Sequence, residues 1–306
     1  MTRVSLSLAL AFLLAGCGGR PAFTKPMVLG GETVSARSLN RGREVYEIYC
    51  FSCHGLKGDG RGPAAIGLRP PARDFTLGVF KFAAVSSGQL PRDADFVRIV
   101  RGGLHGTAML PWKDVPERDL LDAIQYLKTF SPKWAARKPG REIVPGPDPW
   151  GEARRHEAET RGMKVYHGLA QCASCHPAYE SKGTIDAASR ELVGRDAALR
   201  ETPYVATLTD SDYGVKLMPP DFTRDDLRAG TALPDLYRAV AAGIGGTAMP
   251  SWKGSLPEED LWALAYYVRS LVDLRGTPEA AAYRKRLIED LAAGRAAAPS
   301  PRGERK

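Results

Sequence analysis

Apolar residues recur at helical spacing in two separated stretches of the chain. In the first, Val45, Tyr46, Ile48 and Tyr49 form the apolar side of a predicted helix that Ser38 or Asn40 can cap. Phe96, Ile99 and Val100 then fall at i, i+3 and i+4, with Gly102 placed to end that helix. Leu236, Tyr237 and Val240 repeat the pattern before Gly243 in the second stretch. The closing helices carry Leu120, Ile124 and Leu127, then Leu261, Leu264 and Val268. Pro116 and Pro257 stand at their first turns with acidic residues behind them. Pro278 opens a further helix on which Tyr283, Leu287 and Leu291 share a face. Nothing alternates convincingly with period two, so the expected fold class is mainly α with little sheet.

The two stretches are an internal repeat. RGREVYEIYCFSCHG, LRPPARDFT, DFVRIVRGGLHGTAMLPWK and PERDLLDAIQYLKTF in the first answer to RGMKVYHGLAQCASCHP, LMPPDFT, DLYRAVAAGIGGTAMPSWK and PEEDLWALAYYVRSL in the second. Each half reads as helix, Cys/His segment, loop, helix, Met loop, helix. The expected organisation is a domain over 38–133, a stiff Pro-rich linker over 134–157 and a second domain over 158–275. The second domain carries an insertion over 178–214, read as a variable surface loop. Residues 17–37 read as a tether, and 276–306 as a helix followed by a basic tail.

The chain has 306 residues, enough for two domains with cores of their own. Its formal charge is +8, which favours an anionic partner or surface without naming one. Basic residues are scattered and no nucleic-acid-binding motif is present. At the N-terminus, Arg3 precedes an apolar run from Val4 to Leu14, too short to span a bilayer and proportioned as a secretory signal. It ends in Leu14-Ala15-Gly16-Cys17, which resembles a bacterial lipobox, with 1–16 removed and Cys17 lipidated. That implies anchoring to a membrane rather than spanning one. Gly18 is not the Asp that commonly holds lipoproteins at the inner membrane, and either membrane stays open.

The other four cysteines form two pairs, each followed at once by His: Cys50, Cys53 and His54, then Cys172, Cys175 and His176. C-x-x-C-H is the attachment sequence of c-type haem. Two thiols three residues apart on one helical turn can add to the two vinyl groups of the porphyrin, and the next residue turns its imidazole to the iron. A redox disulfide has no use for the following His. A zinc site would need both pairs to share one metal. Two covalent haems c are the expectation.

Each half resembles a class I cytochrome c domain, about three to five helices around a covalently bound haem, and the whole resembles the tandem di-haem cytochromes c over about 38–131 and 158–272. The resemblance implies that Gly42 and Tyr46 on the first helix meet Tyr126 on the last, and that Gly162 and Tyr166 meet Tyr267. It implies iron held between the motif His and a downstream Met, a place occupied by Met109 and Met249 in the repeated GTAM. It also implies that the Pro63 carbonyl takes the free nitrogen of His54; the second half has no counterpart to Pro63. Trp112 and Trp252 are expected on the haem edges. Met218 remains a rival to Met249, although its repeat partner is Arg69. His105, His156 and His167 are expected at the surface, with iron ligation by His105 in some state, or bis-His ligation at one haem, as the alternatives. The glycine-rich GLKGDGRGPAA follows a haem motif rather than a strand and is no phosphate loop.

The function this implies is single-electron transfer in the bacterial cell envelope, lipid-anchored and periplasm-facing. The chain would serve as a tethered carrier or as the cytochrome subunit of a membrane respiratory complex, with redox proteins or oxidase and oxidoreductase subunits as partners. The alternative is a di-haem redox enzyme, peroxidase-like, with one iron open to substrate. A gas sensor is the third reading, and no output domain supports it.

Overall fold

The computed structural model describes residues 21–294. Cys17 and the basic end of the chain lie outside them. The elements are β1 (Met27–Leu29), β2 (Glu32–Val34), α1 (Ala36–Tyr49), α2 (Phe51–His54), α3 (Asp93–Gly102), α4 (Glu117–Lys128), α5 (Lys133–Ala136), α6 (Arg155–Lys164), α7 (Lys182–Val193), α8 (Leu233–Ala242), α9 (Glu258–Val272) and α10 (Pro278–Ala292). The protein is mainly helical, as its apolar spacing predicts. No described helix is long and apolar enough to cross a membrane.

Each repeat is built on a crossing of its first and last helices, α1 on α4 and α6 on α9. The crossing is close because a glycine sits at the contact. A Cβ on Gly42 would stand 1.9 Å from the Asp122 carbonyl oxygen, and one on Gly162 would stand 2.0 Å from that of Ala263. One turn along, Tyr46 meets Tyr126 edge-on at 5.5 Å and Tyr166 meets Tyr267 at 5.4 Å. Leu39, Val45, Leu120 and Ile124 fill the first core; Val165, Leu261, Leu264 and Leu271 fill the second.

Four local expectations are corrected. Ser35, not Ser38 or Asn40, caps α1, its side chain accepting from the Ser38 N–H at 3.1 Å. Asn40 instead pins the chain before the hairpin, accepting from Phe23 N and donating to Phe23 O. The expected tether over 17–37 contains a hairpin whose Leu29 and Val34 are buried. Its Gly30-Gly31 turn has both φ values positive, 65° and 86°, which suits a two-residue hairpin. Three-residue strands are too short to show a period of two.

The linker over 134–157 is shared out between the domains. Trp134 is fully buried in the first core, and Ile143 and Trp150 belong to the second. Gly146 N donates to Glu258 Oε1 and Trp262 Nε1 donates to Gly146 O, which clamps the segment onto α9. The insertion over 178–214 is not a plain surface loop, because it contains α7 and buries Ile185, Ala188 and Tyr204.

The two domains dock with pseudo-two-fold symmetry. His105 N donates to Arg228 O at 3.1 Å, and Gly245 N donates to Lys81 O at 3.1 Å. His105 and Gly245 each stand four residues before the GTAM methionine. Lys81 and Arg228 each stand five residues after the threonine of Asp-Phe-Thr. A Cβ on Gly245 would lie 2.0 Å from Phe80 O, so the second half needs glycine there, whereas His105 is exposed at the matching place.

Candidate haem sites

In the first repeat α1 ends at Tyr49, and the chain turns directly into α2. Cys50 N donates to Tyr46 O and His54 N to Cys50 O, holding both cysteines and the histidine on one turn. The second repeat has two more residues between its Tyr166 and Cys172. They are absorbed by a π-helical turn over Val165–Leu169 and by Gln171 in the left-handed region at φ 49°. A short 3-10 turn over Cys172–Ser174 then restores the geometry, with His176 N donating to Cys172 O.

Both histidines are oriented in the same way. His54 Nδ1 donates to Arg73 O at 3.0 Å, and His176 Nδ1 donates to Pro220 O at 3.0 Å. Phe75 stacks on the His54 ring at 4.5 Å, and Phe222 on the His176 ring at 4.9 Å. Arg73 and Pro220 are each the residue before Asp-Phe-Thr. In that turn Asp74 Oδ1 accepts from Thr76 N and Oγ1, and Asp221 Oδ1 accepts from Thr223 N and Oγ1. The Pro63 expectation is therefore corrected: the carbonyl on His54 belongs to Arg73, and the second half has its own equivalent. The repeated Asp-Phe-Thr was the sequence signal for this, visible in the alignment but with no chemistry attached to it.

Burial lowers the pKa of both histidines, which keeps them neutral with Nε2 available to a metal. None of these four cysteines is paired in a disulfide. Burial pushes the Cys50 and Cys172 thiols up to about 12, which opposes a thiolate redox pair. Among the described residues no three His, Cys, Asp or Glu side chains converge to hold a bare ion. The donor set fits covalently attached haem: Cys50, Cys53 and His54 would hold one group, and Cys172, Cys175 and His176 another.

The Met loops are superimposable in their hydrogen bonding. Leu104 N donates to Met109 O and Ile244 N to Met249 O. Thr107 Oγ1 donates to Leu104 O and accepts from Met109 N; Thr247 Oγ1 does the same with Ile244 O and Met249 N. Gly103 and Gly243 enter these loops at φ 68° and 72°, where a Cβ would lie 2.8 Å from the Met109 or Met249 carbonyl. The threonine of GTAM thus shapes the loop and the glycine before it makes room. Trp112 lies edge-on to Tyr49 and is 38 % exposed, whereas Trp252 packs against the second core.

Of the other histidines, His156 is exposed. His167 corrects the surface expectation: it is 2 % exposed, donating through Nδ1 to Met163 O and accepting from Tyr179 N at Nε2. Both its nitrogens are used, which removes it as an iron ligand.

The insertion replaces the glycine-rich loop of the first repeat. There Gly60 N donates to His54 O and Gly62 N to Cys53 O. In the second repeat Arg200 Nη2 donates to His176 O at 3.1 Å and Thr207 N to Cys175 O. Arg200 also donates to Ala173 O and Val205 O. Arg200→Ala is expected to cost about 3 kcal/mol, the upper end for hydrogen bonds involving a charged group. Denaturant unfolding would read the loss, and haem loading would fall at the second site and not at the first.

Two helical repeats, each with a half-buried C-x-x-C-H turn and a Met loop, are the arrangement of c-type cytochrome domains. Residues 37–127 and 157–268 match the family of cytochrome c oxidase, cbb3-type, subunit III, and the chain belongs to that family. Membership implies covalently bound haem c and electron transport. A solved chain of the Kuenenia stuttgartiensis reducing HAO-like protein complex Kustc0457/Kustc0458 is 30% identical to this chain, with a TM-score of 0.61. The match covers 76% of this chain and 96% of that one. No curated protein matches the chain.

Proposed function

We propose that the protein is a di-haem c-type cytochrome passing single electrons in the bacterial cell envelope. It is tethered through lipid on Cys17 and faces the periplasm, as a carrier or as the cytochrome subunit of a membrane respiratory complex. The observation that carries this reading is the duplicated site. The same carbonyl-held, Phe-stacked histidine and the same Thr-shaped Met loop occur in both repeats. A haem c supplies a one-electron iron couple when bound. Cys50, Cys53, Cys172 and Cys175 would attach it, and His54 with Met109, and His176 with Met249, would ligate the iron. Ligation on both sides would favour electron transfer over substrate chemistry.

Met249 is preferred to Met218 on two grounds. Met218 is 55 % exposed and stands two residues before Pro220, whose carbonyl holds the Nδ1 edge of His176, the edge turned from the iron. Met249 is half-buried in a loop that matches the Met109 loop bond for bond. The family and the HAO-like neighbour, which is part of a redox complex, support a role beside redox partners. Coulometric titration of the purified protein checks the reading. It should take up two electrons per chain, reversibly; an uptake of one or none overturns the di-haem assignment.

A further inference from the structure

Helix α10 lies beyond the second family match, which ends at residue 268. Thr277 caps it, accepting from Ala280 N at 3.2 Å, and Tyr283 and Leu287 bury its inner face. One of its arginines also turns inward. Arg284 Nη1 donates to Asp221 Oδ2, and Nη2 donates to Tyr204 O at 2.7 Å. Asp221 belongs to the turn that holds His176: the residue before it accepts from His176 Nδ1, and the residue after it stacks on the ring. The Tyr179 hydroxyl donates to Asp221 Oδ1 at 3.3 Å and accepts from Phe222 N at 2.8 Å. Gly276 N donates to Thr223 O at 3.0 Å, so the link into α10 is tied to the same turn.

The first repeat has the turn without the clamp. Asp74 bonds within its own turn, and among the described residues no cation forms an ion pair with it. Asp74 is half-buried, so water screens its charge. The Asp221 side chain is 9% exposed, and Arg284 is its ion-pair partner. A buried carboxylate beside a ligating imidazole strengthens the ligand and favours the more positive, ferric iron. The Arg284 cation cancels that effect. Removing one partner of such a pair leaves the other charge buried and uncompensated.

We propose that Arg284 is a positioning residue for electron transfer, which neutralises Asp221 behind His176 and so raises the reduction potential of the second haem alone. This rests on the di-haem reading above. The two sites are built alike in their Cys/His turns, Asp-Phe-Thr turns and Met loops, and α10 is the element that makes them unequal. It acts on the iron through Asp221 and the Pro220 carbonyl, with no contact of its own to His176.

Spectroelectrochemical titration of the holo-protein tests this. Arg284→Gln should lower one of the two midpoints, Asp221→Asn should raise that same midpoint, and the other should stay in both variants. Arg284→Lys keeps the charge, and the double variant Arg284→Gln with Asp221→Asn removes both charges. Each should bring the midpoint back close to that of the wild-type protein. Lys285→Gln, on the same helix at a side chain 78% exposed, should move neither. A clamp that only holds the fold together would shift both single variants the same way and leave the double variant no better. That result, equal movement of both midpoints, or no shift with Arg284→Gln overturns the inference. If Arg284→Gln loses its second haem, Asp221→Asn decides: a raised midpoint supports the inference, and a lowered or unchanged one overturns it. Haem is counted by pyridine haemochrome in every sample. Fewer than two haems in the wild-type protein sinks the di-haem reading itself; two haems whose midpoints ignore Arg284 sink this inference alone.

Discussion

Gly162→Ala is expected to destabilise the second domain by at least about 3 kcal/mol, the upper end of the usual cost of overpacking. The added methyl would lie 2.0 Å from the Ala263 carbonyl oxygen and 2.7 Å from Tyr267 Cβ. Alanine is the better helix former by about 1 kcal/mol, but that gain needs space, and both α6 and α9 would have to separate to provide it. Relief by a side-chain rotation is closed, because the first atom met is backbone. Gly42→Ala should do the same to the first domain against Asp122. Gly183 in α7 is the contrast: the nearest atom to its Cβ is the Ser181 hydroxyl at 3.9 Å. Gly183→Ala should be neutral or stabilise by up to about 1 kcal/mol. Denaturant midpoints of the three variants check the ordering, and a Gly162→Ala protein as stable as Gly183→Ala would show that the helices do not cross this closely.

Met249→Ala is expected to lower the reduction potential of the second haem alone, by roughly a tenth of a volt or more within the ~0.8 V that axial ligation spans. A neutral thioether favours ferrous over ferric iron, so its loss stabilises the oxidised state. The emptied position should also bind carbon monoxide in the reduced protein. Met218→Ala should leave both midpoints in place, since its side chain is exposed beside the segment that holds His176. If Met218→Ala moves the second potential and Met249→Ala does not, the ligands are exchanged.

The helical architecture was legible because each core-facing pattern is long and regular. The Cys/His turns were legible because they occur twice, and the Gly-Tyr crossing through the resemblance to class I cytochrome c domains. What escaped the sequence was short or distant. The β1–β2 hairpin has too few residues for a period to show. Trp134 looked like the start of a linker, yet it closes the first core from a four-residue helix. The partner of His54 was sought at Pro63, near in sequence, and lies instead at Arg73, nineteen residues away. His167 carried no sign of its burial, because its two extra neighbours wind a π-turn that rotates it inward. The insertion was read as variable, but Arg200 makes it the substitute for a glycine loop that the second repeat lacks. For His54, His167 and Arg200 a backbone carbonyl is the partner, and carbonyls have no letter in a sequence.

The far-red spectrum of the ferric protein tests the central claim most directly. The methionine–iron charge-transfer band is quantified against haem content, and the ferrous spectrum is then recorded with and without carbon monoxide. Two His/Met sites predict a band intensity of two per chain and no response to carbon monoxide. A band intensity of one, with one haem that binds carbon monoxide, would contradict the duplicated site and leave one iron open to substrate.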